Sequence, residues 1–184
     1  MSRARTAVQT EADGPAVLRF KARIVQQPHA KDTAATVLDI PLAVSKQLRA
    51  MDTLEGTING HAFRAVLEPG ASGGLWLRVN KAMQGGANAA AGDTVQLAVL
   101  GPEPEPTVPS DLRVELNASP AALLLWTDLT LIGRLDYIRW IDAAKKPETR
   151  ARRITLTVEQ LAEGKRRPCC VNVYDYMLRR VGQD

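Results

Sequence analysis

Aromatic side chains are scarce in this sequence, with three Trp, three Tyr and two Phe among 184 residues, and cysteine and histidine are scarcer still at two each. No apolar run approaches the roughly 20 residues that a membrane-crossing helix needs. The most apolar stretch, Pro120 to Trp126, falls far short of that, so no transmembrane segment is expected. The opening MSRARTAVQTEADG is charged but has no apolar stretch of signal-peptide length, and a cytoplasmic location is expected. Cys169 and Cys170 are adjacent, and a disulfide between neighbours closes a strained ring, so neither a structural disulfide nor an oxidising compartment is implied. No CxxC spacing accompanies them. His29 lies beside Pro28 and His61 just after a turn dipeptide, far apart and without acidic residues at ligand spacing, so no metal and no cofactor is expected. A nucleophile built from Cys170 and His61 finds no acid, base and oxyanion set at matching spacing.

What is present describes an ordinary globular chain. Hydrophobic residues make up 45%, charged residues 24%, and mean hydropathy is -0.16, values that exclude fibrous, disordered and membrane classes. This length suits one modest domain or two small ones. Residues 1–15 are small and polar without periodicity and read as a disordered terminus. From there to residue 100 the period is two. Leu18, Phe20, Ala22 and Ile24 alternate with Arg19, Lys21 and Arg23, which puts the apolar set on one strand face. Ala35 to Ile40 forms a second strand ended by Pro41, and Leu42, Val44 and Leu48 suit a brief helical turn. Leu54 to Leu67 carries two alternating arms around Asn59-Gly60, the dipeptide that best accepts the positive φ angles of a tight hairpin. Leu75 to Val79 and Thr94 to Leu100 complete the strands. Several short strands in sequence, joined by turns, predict a small closed or nearly closed β-barrel, because closure removes exposed edges.

Residues 101–110 read GPEPEPTVPS, with four prolines, and form a stiff extended linker. Residues 111–184 turn helical. Ser110-Asp111 is a candidate cap for a short helix through Leu116, and Ser119-Pro120 opens another. Leu131, Leu135, Ile138 and Ile141 share one face of a third. Pro147 starts a fourth that Gly164 stops, although Ile154 to Val158 also alternates like a strand. The expected fold class is α+β, a small N-terminal β-barrel followed by a C-terminal bundle of about four helices.

The strings GTINGHAFRAVLEP, GGLWLRVNKAM and GDTVQLAVL resemble the DUF1905-type small β-barrel domain of short bacterial proteins. LDYIRWI, AKKPETRARRI and LAEGKR resemble the C-terminal helical domain of the YdeI/OmpD-associated family. The likeness spans about residues 16–167, and AKKPETRARRI is its specific part. It implies a bacterial protein linked to bacteriocin protection and tolerance of antimicrobial peptides, with no agreed reaction and no catalytic residues to transfer. Some members are described as periplasmic, and this sequence departs from them in lacking an export signal. It departs again after Lys81, where Gln84 and an insertion-like GGANAAAG stand in place of a more basic stretch.

Two binding readings follow. In the first, the chain is a non-catalytic binding or stress-tolerance protein whose small or anionic ligand meets Arg64, Arg78 and Lys81 of the barrel and Trp140 and Arg150 of the helices, in a groove between the halves. In the second, a nucleic acid binds the basic segment formed by Lys145, Lys146, Arg150, Arg152, Arg153, Arg166 and Arg167. Residues 145–167 hold eight cations and three acids, a local excess of +5, while residues 1–130 sum to -1. Charge so gathered attracts polyanions with a salt-sensitive affinity. No aromatic residue interleaves it, so base stacking is not suggested. A structural reading competes, in which Arg150 and Arg153 pair with Asp136 or Asp142 of the preceding helix and clamp a helical corner.

Overall fold

The computed structural model describes residues 14–27, 35–70, 72–169 and 171–182. His29, Cys170 and all of the expected disordered terminus except Gly14 and Pro15 lie outside the described residues. The chain divides into two compact units, one holding residues up to Glu103 together with those from Arg180 on, the other Pro104–Arg179.

The first unit contains β1 (Val17–Gln27), β2 (Ala35–Ile40), α1 (Leu42–Leu48), β3 (Thr53–Ile58), β4 (His61–Val66), β5 (Glu68–Pro69), β6 (Leu75–Arg78), α2 (Lys81–Ala87) and β7 (Thr94–Leu100). The strands form one antiparallel sheet in the order β4-β3-β7-β1-β2-β6-β5, curled into a half-barrel. The fold class is therefore α+β as the alternation predicts, with β4 and β5 as the end strands of the half-barrel among the described residues. Strand β1 is the corner piece. Its first part pairs with β7, Val17 opposite Leu100 through Arg23 opposite Thr94, and its last part pairs with β2, Ile24 opposite Leu38 through Gln27 opposite Ala35. Strands β7 and β2 thus flank β1 on its two edges, and Ala22 and Ile24 enter a common core with Leu38, Leu54, Phe63, Leu77 and Val95.

The hairpin forms where Asn59-Gly60 predicts it, with φ of 48° and 84° at the two turn residues. The Asn59 side chain then does more than turn the chain: Oδ1 accepts from Gln96 N–H at 2.9 Å, and Nδ2 donates to the Ala87 carbonyl at 3.1 Å. That second bond reaches α2, an element the sequence reading does not anticipate. The segment taken as insertion-like is in part this helix, capped by Asn80, whose Oδ1 accepts from Met83 N–H at 2.9 Å. A Cβ at Gly86 would stand 2.2 Å from the His61 ring, so any other residue there obliges that ring to move.

The second unit is helical: α3 (Ser110–Ala118), α4 (Pro120–Asp128), α5 (Leu131–Asp142), α6 (Pro147–Ala162) and α7 (Asp175–Val181), the last of which ends in the first unit. Ser119 Oγ caps α4 and Thr130 Oγ1 caps α5, accepting from Ala122 and Gly133 N–H. Ser110 does not cap α3. Pro109 precedes that helix without a side-chain cap, and Asp111 accepts from Leu112 N–H instead. The alternating Ile154 to Val158 stays inside α6 because Ile154, Thr157 and Leu161 fall on one buried helical face. Leu112, Leu116, Trp126, Tyr137, Ile141 and Leu161 form the core. No helix among the described residues is long and apolar enough to cross a membrane.

Candidate functional site

In the sheet unit the three expected ligand residues have distinct surroundings. Arg64 of β4 lies directly opposite Glu55 of β3 and forms a buried ion pair with it, their side chains 7% and 3% exposed. This pair belongs to the sheet interior and satisfies the carboxylate that burial would otherwise leave costly. Arg78 of β6 is half exposed, 3.3 Å from Glu68 of β5, and its guanidinium lies 5.6 Å from the Trp76 ring centre. Lys81 is exposed at the first turn of α2. A shallow depression of about 310 Å³ opens beside this strand, lined by Asp39, Gly74 and Trp76 among others.

In the helical unit Arg150 is a three-way clamp. Its Nε and Nη2 donate to Asp111 at 2.6 and 3.1 Å, and its Nη1 donates to Asp142 at 2.7 Å, joining α3, α5 and α6. The side-chain hydrogen bonds from Arg150 hold the Asp111 carboxyl below its ordinary 3.8. The Asp142 partner agrees with the structural reading of the basic helix, while Asp111, 39 residues distant, is a partner no local pattern reveals. Arg153 takes another course: Nη1 donates to the Trp140 carbonyl and the guanidinium lies 5.5 Å from the Trp140 ring centre. Arg166 donates to Asp128 at 2.8 Å, and Lys165 meets Glu163. Within the basic segment, Lys145, Lys146, Arg152 and Arg167 make no ion pair among the described residues.

A cleft of about 560 Å³ runs along α5. Helix α5 contributes Asp136, Arg139 and Trp140 to it, the turn after α5 contributes Lys145, and α6 contributes Arg153. The opposite wall is the C-terminal segment, with Val171, Val173, Tyr176, Leu178 and Arg179. Asp136 is 2% exposed, and Met177 beneath the segment is wholly buried, so the wall is anchored. Arg139 stacks on Tyr176 at 3.9 Å from its ring centre. Cation-aromatic contacts at this range are favourable and fix the planes of both groups. Counting four cations against Asp136 and Asp175, the lining carries a formal +2.

Of the expected ligand residues the cleft takes Trp140 alone; Arg150 lines a separate hollow of about 360 Å³ with Asp111 and Ile154. Arg139 stands inside the string LDYIRWI, but its pairing with Tyr176 joins residues 37 positions apart and has no periodic signature. The other polar residues of the sequence reading are accounted for locally. His61 abuts Gly86, and Cys169 Sγ accepts from Gln160 Nε2 at 3.2 Å. Tyr137, pushed up to about 12 by burial and by the nearby Cys169, donates its hydroxyl to the Lys165 carbonyl at 2.9 Å. No group of three His, Cys, Asp or Glu positioned to hold a metal ion occurs among the described residues.

Comparison with known proteins finds two matches. Residues 20–99 match the domain of unknown function DUF1905, and residues 105–164 match the family described as bacteriocin-protection, YdeI or OmpD-associated. The first match spans most of the sheet, from within β1 to within β7, and the second ends two residues after α6. The cleft thus has one wall inside the matched region and one beyond it. No curated protein matches the chain.

Proposed function

For a chain that carries a DUF1905 domain followed by a domain of the bacteriocin-protection, YdeI or OmpD-associated family, we propose a non-catalytic binding role in stress tolerance, with the cleft of the helical unit as the binding site. The observation that supports this is the cleft itself. Its volume of about 560 Å³ falls within the range of small-molecule sites. Its walls combine apolar side chains with convergent charged ones, which is the composition that fixes a ligand's orientation.

The test is complementation in a peptide-sensitive bacterial strain. The wild-type chain is expected to restore tolerance, and the double variant Trp140→Ala, Lys145→Glu to lose it while remaining folded by circular dichroism. Tolerance left intact in that variant overturns the cleft as the working site.

A further inference from the structure

The charge and the aromatic faces of the cleft together indicate what it takes, on the reading that the cleft is a binding site. A cation is excluded twice over. Four cationic side chains line the cleft against two carboxylates, and Asp175 already accepts from Asn172 Nδ2 at 2.6 Å. One π face of each ring carries the protein's own guanidinium, Arg139 over Tyr176 and Arg153 over Trp140, which sets positive charge beside any ligand cation. Like charge set against like charge in a half-enclosed site is a strong discriminator.

An anion meets the reverse situation. Lys145 makes no ion pair among the described residues and lines the cleft, so a carboxylate placed there gains a partner without displacing one. A bare inorganic ion leaves most of the volume and all of the apolar wall unused. Trp140, Val173 and Leu178 offer flat and branched apolar surface to an organic body. We propose that the cleft binds a small organic anion with a planar apolar body, an aryl carboxylate, whose charge is taken by Lys145 and the neighbouring guanidiniums and whose ring lies on the Trp140 side. A cationic antimicrobial peptide is then not the cleft's ligand. Tolerance would run through the small anion instead.

Calorimetric titration of the full chain tests this with four probes: 2-naphthoate, the uncharged 2-naphthylmethanol, the cation 2-naphthylmethylammonium, and inorganic phosphate. Naphthoate is expected to bind, with affinity lower by roughly tenfold or more for the neutral, cationic and inorganic probes. Lys145→Glu is expected to weaken naphthoate by roughly tenfold, while Lys146→Glu, the same charge change one residue outside the lining, alters it by less than about threefold. Cation or neutral probe bound as tightly as naphthoate, still sensitive to Trp140→Ala, overturns the ligand class and leaves the binding cleft standing. Naphthoate binding indifferent to both Lys145→Glu and Trp140→Ala, or no binding by any probe, overturns the assignment of an aryl anion to this cleft. In that second case the complementation result for the same two positions decides separately whether the cleft works at all.

Discussion

Arg150 is one side chain with three duties, and its removal is instructive because each duty is visible. With the guanidinium gone, Asp111 and Asp142 keep access to water, so the cost is that of a partly exposed ion-pair network, about 1 kcal/mol for Arg150→Ala. Asp111 is held below its ordinary value in the folded chain, so the proton binds the unfolded state more readily. Its contribution is complete above about pH 4 and is lost as pH falls through the folded value. Acid unfolding of Arg150→Met should lack that component, and the Asp111 carboxyl, followed by NMR, should return toward its ordinary range. Tyr137 has the opposite window. Its hydroxyl stays protonated in the fold up to about 12, whereas the unfolded chain releases the proton near 10.0. The folded form therefore holds more protons between those values, and stability is full below pH 10 and declines toward 12. Tyr137→Phe should cost about 1 kcal/mol at neutral pH through the lost bond to Lys165 and should flatten the alkaline decline. Chemical denaturation at a series of pH values checks both.

Helix α2 is the element where local preference and tertiary fit diverge. Gly85 and Gly86 both oppose helix formation, and a reader of KAMQGGANAAAG sees a flexible stretch. What sustains the helix is a cap at one end, the Asn59 amide at the other, and the close seat against His61. Gly86→Ala is expected to destabilise by roughly 1 to 3 kcal/mol, since the His61 ring and backbone must move apart. In a His61→Ala background the same change should turn neutral or stabilising, by up to about 1 kcal/mol, as alanine recovers its helical advantage. A double-mutant cycle in urea reads this reversal directly.

That contrast also says what was legible in the sequence. The strands of residues 16–100 were readable because each depends on a two-residue alternation and on turn chemistry such as Asn59-Gly60, and α4 and α5 because their caps and apolar faces are local. Helix α2 was not, because its supports lie 20 to 30 residues away in β4 and the hairpin. Alternation specifies which face is buried, and the curled sheet it predicts is present as a half-barrel. Of the cleft's lining, Trp140, Lys145 and Arg153 stand out in the sequence, the first as a ligand residue for a groove between the halves and the two cations as part of a basic segment, whereas Arg139 does not. The basic segment was legible as charge but its division was not: Arg150, Arg153 and Arg166 donate to Asp111, Asp142, the Trp140 carbonyl and Asp128, while Lys145 lines the cleft without an ion pair among the described residues.

On the scale of the whole molecule, each compact unit has its own hydrophobic core. Leu38→Ala should remove roughly 2 to 5 kcal/mol from the sheet unit, and Ile141→Ala a similar amount from the helical unit. Single-tryptophan variants supply the reporters, Trp76 for the first and Trp126 for the second. Each cavity mutation is expected to lower the denaturation midpoint read by the reporter of its own unit.

The corner strand β1 has its own calendar. It leaves the ribosome before the partner of its first half, β7, which follows some 70 residues later. The Arg19 guanidinium still awaits the carbonyl of Val181, and Arg180 the carbonyl of Pro15. Translation thus delivers β1 well before its latest bonds exist, and a nascent chain halted near residue 90 would display β1 with half of its backbone groups unanswered. Chaperone binding should peak at that length and fall once Leu100 has emerged.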